Sequence, residues 1–255
     1  MKKDPTKPAK NQMVQIMSFV GLITLVVLSV LLLTEDKLED TNPYDLDIEG
    51  YNTIDQALVT HQLIQKINIA CDRLYAVTVD PQDFIYAATD SRIIKLNPYG
   101  SELLSFKVPE PIRALDIDDQ GQVFAAGARS VYVFTPEGTL ENKIIELSDS
   151  SLVTSLAVGA GQVFIADAGT RIVAHYDTAG MFIQYLGGKD KSKGRTGFVI
   201  PSPFFDLALD SNNTLWVVNP GNHSFENYSE DGQILQTWGK HSSAIGGFCG
   251  CCNPS

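Results

Sequence analysis

The chain has 255 residues, of which 44% are hydrophobic and 19% charged; this is ordinary globular composition and excludes a collagen-like or wholly disordered polymer. Its formal net charge of −11 repels polyanions, so no nucleic-acid partner is expected.

The amino terminus runs against that average. Lys2, Lys3, Lys7 and Lys10 face only Asp4, so residues 1–12 read as a basic cytoplasmic tail. Residues 13–33 (MVQIMSFVGLITLVVLSVLLL) carry no charge, and a helix of that length covers the roughly 30 Å hydrocarbon core of a bilayer. The run is longer than the apolar part of a cleaved secretory signal, and Leu31, Leu32 and Leu33 stand where a cleavage site needs small side chains. The segment between Met13 and Leu33 is therefore expected to be a transmembrane helix, an uncleaved single-pass membrane anchor. Lysines before it and Glu35, Asp36, Glu39 and Asp40 after it put the amino terminus in the cytoplasm and the remainder outside, periplasmic or extracellular. Residues 34–56 are an acidic linker whose like charges repel one another and which lacks the apolar surface to fold alone.

Residues 57–255 are expected to form one all-β domain, because the sequence repeats. VTVDPQDFIYAA from Val77, LDIDDQGQVFAA from Leu115, LAVGAGQVFIAD from Leu156 and LALDSNNTLWVV from Leu207 each give an alternating strand, a polar turn and a second strand rich in β-branched and aromatic residues. A second signature follows each time, a four-residue turn whose last place is Gly100, Gly138, Gly180 or Gly232. Four short strands in a unit of about 40 residues is the period of a β-propeller blade. An immunoglobulin-like sandwich is the rival architecture, but its strands need not repeat one turn four times.

Residues 74–255 resemble NHL repeats. The best match, from Phe198 to Gly239, carries Asn222, His223, Phe225, Tyr228 and Gly232 on the family pattern; Asn219 stands for the usual Asp and Ser224 for the usual Arg. The third unit keeps Asp167, Arg171 and Ile172, while the first two are degenerate. The resemblance implies a propeller of about six blades, of which four are countable here. It also implies either a natural chain extending past Ser255 or two chains completing one ring, a closed four-bladed ring being the alternative. Residues 57–67 (ALVTHQLIQKI) resemble an outer strand of the kind that closes many propellers on the last blade, but the fourth unit already has its own outer strand in residues 233–238, so this strand lacks a countable blade to complete.

Cys249, Cys251 and Cys252 lie within four residues, with Cys71 far upstream. Thiolates so close suit a soft metal, an iron–sulfur cluster or redox chemistry. Outside the cytoplasm an even number of cysteines also suits disulfides, with Cys71 or a second chain as partner. The histidines are His61, His175, His223 and His241; no three fall at equivalent blade positions, which is what the zinc sites of similar peptide-amidating lyases need. A packed core role is expected for His175. Lys189, Lys191, Lys193 and Arg195 make a basic inter-blade loop that suits a mobile solvated segment or an anionic partner. Sequons begin at Asn212, Asn222 and Asn227, and Trp216 and Trp238 are expected to pack between blades.

No nucleophile elbow, phosphate-binding glycine loop or H-E-x-x-H helix occurs. The function expected first is a binding scaffold for a protein or small ligand on the propeller face. A metal-binding or redox protein built on the cysteine cluster comes second, and a zinc-dependent lyase or hydrolase third.

Overall fold

The computed structural model describes residues 10–33, 57, 59–189, 197–201, 204–244 and 247–248. The chain divides into two compact units, Met1–Ile64 and Gln65–Ser255.

In the first unit, helix α1 spans Lys10–Leu33. Thr24 Oγ1 donates back to the carbonyls of Val20 and Gly21, at 3.0 and 2.9 Å, so the hydroxyl adds no unpaired group to an apolar helix. Among the described residues no helix is long and apolar enough to cross a membrane. This overturns the reading of the segment between Met13 and Leu33 as a transmembrane anchor. The inside–outside orientation and the periplasmic or extracellular placement fall with it. The acidic linker, residues 34–56, lies outside the described residues.

The second unit is built of four antiparallel sheets, each of four strands laid down in sequence order. The first holds β1 (Leu74–Val79), β2 (Ile85–Thr89), β3 (Arg92–Leu96) and β4 (Glu102–Lys107). The second holds β5 (Ala114–Ile117), β6 (Val123–Ala126), β7 (Ser130–Phe134) and β8 (Leu140–Glu146). The third holds β9 (Val153–Gly159), β10 (Gln162–Asp167), β11 (Ile172–Asp177) and β12 (Phe182–Leu186). The fourth holds β13 (Leu207–Leu209), β14 (Leu215–Asn219), β15 (Ser224–Tyr228) and β16 (Ile234–Trp238). These are four blades of a β-propeller, as the repeats foretold.

The repeats share one irregularity. In every sheet the third and fourth strands slip register at one equivalent place, Lys95/Leu96, Val133/Phe134, His175/Tyr176 and Asn227/Tyr228. The turn that follows closes by an N–H to C=O bond of 2.8 to 3.0 Å, from Gly100 to Asn97, Gly138 to Thr135, Gly180 to Asp177 and Gly232 to Ser229. The four glycines have φ between +78° and +87°, a region other residues avoid. The turn between the first two strands is capped in three sheets by a carboxylate, Asp80, Asp118 and Asp210, each accepting two backbone N–H bonds. In the third sheet Gly159 stands there, and a two-residue hairpin of Ala160 and Gly161, both at positive φ, does the same work.

Apolar clusters fill the space between successive sheets. Tyr86, Ile93, Leu115 and Phe134 pack between the first and second, Phe124, Leu156 and Ile165 between the second and third, and Phe164, Phe205 and Val217 between the third and fourth. The first strands stand side by side, β1 by β5, β5 by β9 and β9 by β13, but β13 does not meet β1 in the same way. The described blades therefore form an open arc. Val77 and Val79 of β1 are exposed, whereas Leu115, Ile117, Leu156 and Val158 at the equivalent places are buried, because among the described residues no blade stands in front of the first.

The described residues from 59 to 67 form no strand, so a ring-closing outer strand is not formed there. Its packing role is kept in part. A side chain at Gly138 would strike Phe106, one at Gly180 would strike Ile144 and one at Gly232 would strike Leu186, each on the outer strand of the preceding sheet; at Gly100 the atom met is Ile67. Ile67 thus occupies the place of a preceding blade's outer strand. Gly100→Ala is expected to cost about 1–2 kcal/mol through the left-handed backbone alone, read as a shift in the urea midpoint; Ile67, a movable side chain, adds little.

Candidate functional site

The first strands bring equivalent residues to one end of the arc. Counted back from each first turn, Tyr75, Arg113, Thr154 and Phe205 share one position, and Ala76, Ala114, Ser155 and Asp206 the next. Together with Phe204 they line a cleft of about 390 Å³.

The polar groups of this mouth are tied across blades. Thr154 Oγ1 donates to the carbonyl of Phe205 at 2.5 Å. The Ser155 hydroxyl donates to the Asp206 carboxylate, which also accepts from the Leu207 N–H at 2.8 Å. Tyr75 Oη donates to Asp90 at 3.0 Å. Arg113 is exposed and is in no ion pair among the described residues, while Phe204 presents an exposed ring beside it. The mouth so offers one cation, one hydrogen-bonded carboxylate and two aromatic rings on a frame of strands.

One step further along the first strands, Asp116 reaches both neighbouring blades. Its Oδ1 accepts from Thr78 Oγ1 at 3.3 Å and its Oδ2 from the Val158 N–H at 2.7 Å. Burial pushes the Asp116 carboxyl above its ordinary 3.8, against the N–H groups of Val158 and Ile117, which pull it down.

The residues singled out in the sequence fare unevenly. Cys249, Cys251 and Cys252 lie outside the described residues, as do Lys191, Lys193 and Arg195; Lys189 is exposed. Cys71 is exposed, and the described residues hold no disulfide. Among them no group of three His, Cys, Asp or Glu is placed to hold a metal ion. His175 is the packed core residue expected, 1% exposed and stacked on Phe164 at 4.2 Å, and burial depresses its basicity. Of the four histidines only His223 and His241 come together, with ring centroids 5.0 Å apart. Asn227 is buried and donates to Thr214 Oγ1 at 2.8 Å, so the third sequon cannot carry a glycan. Neither tryptophan packs between blades. Trp216 is half-buried at the far face of the fourth blade, and Trp238 is exposed on its outer strand against Phe225 and Phe248. The last blade has no successor among the described residues to cover them.

Sequence reasoning passed over the channel mouth. Its residues precede the aligned repeat and differ from unit to unit, so only the register, not the residue type, marks them.

No family model matches the sequence, and no characterised protein matches it by sequence. Solved structures do match the fold. A streptogramin B lyase superposes with a TM-score of 0.54 at 15% identity, over 68% of this chain and 56% of that one. A catalytically inactive virginiamycin B lyase from Staphylococcus aureus with quinupristin gives 0.54 at 19%, over 71% and 61%. The structure of U3-55K gives 0.51 at 14%, over 66% and 52%. The chain spans between half and about three-fifths of the length of these proteins. Likeness at this identity carries the fold and not the activity, so the second unit is an arc of β-propeller blades whose function must be argued from its own residues.

Proposed function

We propose that the chain is an NHL-type binding scaffold whose partner, a protein segment or a small ligand, docks at the channel mouth formed by the four first strands. One observation carries this reading: equivalent positions of four blades converge on a single cleft whose side chains differ from blade to blade. The turn glycines Gly100, Gly138, Gly180 and Gly232 repeat because the backbone there demands it. The mouth position varies between Tyr75, Arg113, Thr154 and Phe205, which is what recognition by a rigid frame requires. Arg113 suits a carboxylate or another anion on the partner, and Tyr75 and Phe204 suit an apolar or aromatic group beside it.

The test is selection from a displayed random-peptide library against the full chain, with affinities then measured on variants. Arg113→Ala and Phe204→Ala are expected to weaken the selected peptides about tenfold or more, since an anchoring side chain is worth over 1 kcal/mol. Both side chains are exposed, so stability should not change. Peptides that bind both variants as well as the parent would place recognition elsewhere and end this reading.

A further inference from the structure

Two glutamines of the third sheet hold one residue of the fourth. Gln162 Nε2 donates to the Glu230 carboxylate at 3.0 Å, and Gln184 Nε2 donates to the Glu230 carbonyl at 2.7 Å. A carbonyl only accepts, so the second bond fixes which end of the Gln184 amide faces the turn. The same Nε2 lies 3.4 Å from His175 Nδ1, so that ring nitrogen faces a donor and the proton of the neutral imidazole sits on its Nε2. That Nε2 is buried and has no hydrogen-bond partner among the described residues, a cost that an apolar side chain would avoid.

The fold does not require an imidazole there. Cross-strand register makes Lys95, Val133, His175 and Asn227 equivalent, each opposite an aromatic residue of the second strand, Tyr86, Phe124, Phe164 or Trp216. Val133 shows that an apolar side chain serves. Lys95 shows that the place also holds a cation: its Nζ lies 4.9 Å from the centre of the Tyr86 ring, with the Asp80 carboxylate at 3.9 Å as counter-charge. Asp80 caps the first turn of its own sheet. In the third sheet Gly159 stands at that turn, so a cation at His175 finds no carboxylate there. The carboxylates around it are Glu230 and Asp231 of the fourth sheet, which line an open hollow of about 480 Å³ together with His175, Ile183 and Ser229. From β10 and β12 the imidazole meets only the Phe164 ring, stacked at 4.2 Å, and the neutral Gln184 amide. On β11 itself Tyr176 and Asp177 follow, and Asp177 is tied to the Met181 N–H at 2.7 Å.

We propose that His175 is a proton-operated latch: a proton taken from solvent onto Nδ1 frees Gln184, draws the Glu230 carboxylate from Gln162 to the imidazolium, and loosens the third sheet from the fourth. Once Nδ1 is protonated, two donors face each other. Turning the Gln184 amide presents its oxygen to the new N–H but leaves the Glu230 carbonyl without its donor. Burial of the ring opposes the charge more than Glu230 favours it, so the imidazole is less basic in the fold than its ordinary 6.5. The unfolded chain therefore binds this proton more readily. The contact between the sheets is complete above 6.5 and weakens as pH falls from there toward the folded value. The latch thus answers to mild acid, where ordinary carboxylates are still charged, and it does not depend on what the channel mouth binds.

The experiment follows the imidazole signals of the full chain by nuclear magnetic resonance from about pH 8 to about pH 5. Amide hydrogen exchange, corrected for the intrinsic effect of pH, is measured over the same range. Exchange in β12 and in the turn between β15 and β16 should rise severalfold in step with the His175 signals, while β1 to β4 stay unchanged. His175→Phe keeps a ring on Phe164 and should abolish the rise. Glu230→Gln removes an exposed charge and should move the His175 titration to lower pH. His241→Ala, in the loop after the fourth sheet, should change neither readout. An imidazole at His175 that stays neutral to the acid limit overturns the proposal, a result read on the parent chain and independent of any variant. So does a rise that persists in His175→Phe, or one that vanishes in His241→Ala.

Discussion

Phe124→Ala is expected to cost about 3–5 kcal/mol of stability, the range for deleting a fully buried aromatic side chain. Phe124 sits in β6 with no exposed surface and packs into the cluster between the second and third sheets, against Leu156, Val158 and Ile165. The cavity cannot collapse easily, because each wall is a hydrogen-bonded sheet rather than a loop. Both tryptophans lie in the fourth sheet, so their fluorescence reports on a place two sheets from the change. Urea unfolding followed by that fluorescence and by far-ultraviolet circular dichroism should give one midpoint, shifted in both signals. Phe182→Ala on β12 is the control: Phe182 is 46% exposed and packs its ring on those of Tyr176 and Tyr185, contacts worth about 1 kcal/mol. Equal losses in the two variants would mean that the faces of the sheets are not assigned as described.

The period of two along the strands and the glycine three places after each turn's start were enough to place the sheets, because both follow from local stereochemistry that every unit must obey. Gly100, Gly138, Gly180 and Gly232 all take the backbone that their spacing demanded. What was hidden depends on contacts distant in sequence. Nothing near Asp116 shows that its carboxylate would be shared with Thr78 and Val158, since those partners belong to other units. Ile67 resembles part of a strand and supplies that strand's packing against Gly100 without its hydrogen bonds. Trp238 was misjudged because a large aromatic residue is buried only if another element covers it. The channel mouth was invisible for the opposite reason to the turns: its residues differ from unit to unit, and a repeat is found by what stays the same.

Asp167 ought to govern stability in acid. The residue is 2% exposed, and its carboxylate accepts the N–H groups of Leu152, Gly169 and Thr170 at 2.8, 3.0 and 3.2 Å and the Thr170 hydroxyl at 2.6 Å. It thereby fastens the connection between β8 and β9 to the turn between β10 and β11. Asp167→Ala strands several buried donors and should cost about 2–4 kcal/mol at neutral pH. Asp167→Asn should cost less, because Asn219 makes the corresponding contact in the fourth sheet with a neutral amide, accepting from the Val199 N–H at 3.0 Å. Burial alone would raise the Asp167 carboxyl, but the Thr170 hydroxyl and the Leu152 N–H outweigh it and leave the group below its ordinary 3.8. A depressed carboxyl contributes stability that is complete above 3.8 and lost as pH falls through the folded value. Asp116 acts with the opposite sign: its raised carboxyl binds a proton more tightly when folded, so it adds stability as pH falls toward 3.8. Unfolding free energies between about pH 6 and pH 2.5 should therefore show the parent and Asp167→Asn converging only in the most acid part of the range. Asp116→Asn should instead remove the gain seen above 3.8 and leave the acid loss in place. Parallel curves for parent and Asp167→Asn throughout would show that the clasp works through its shape and not through its charge, which the four hydrogen bonds to one carboxylate argue against.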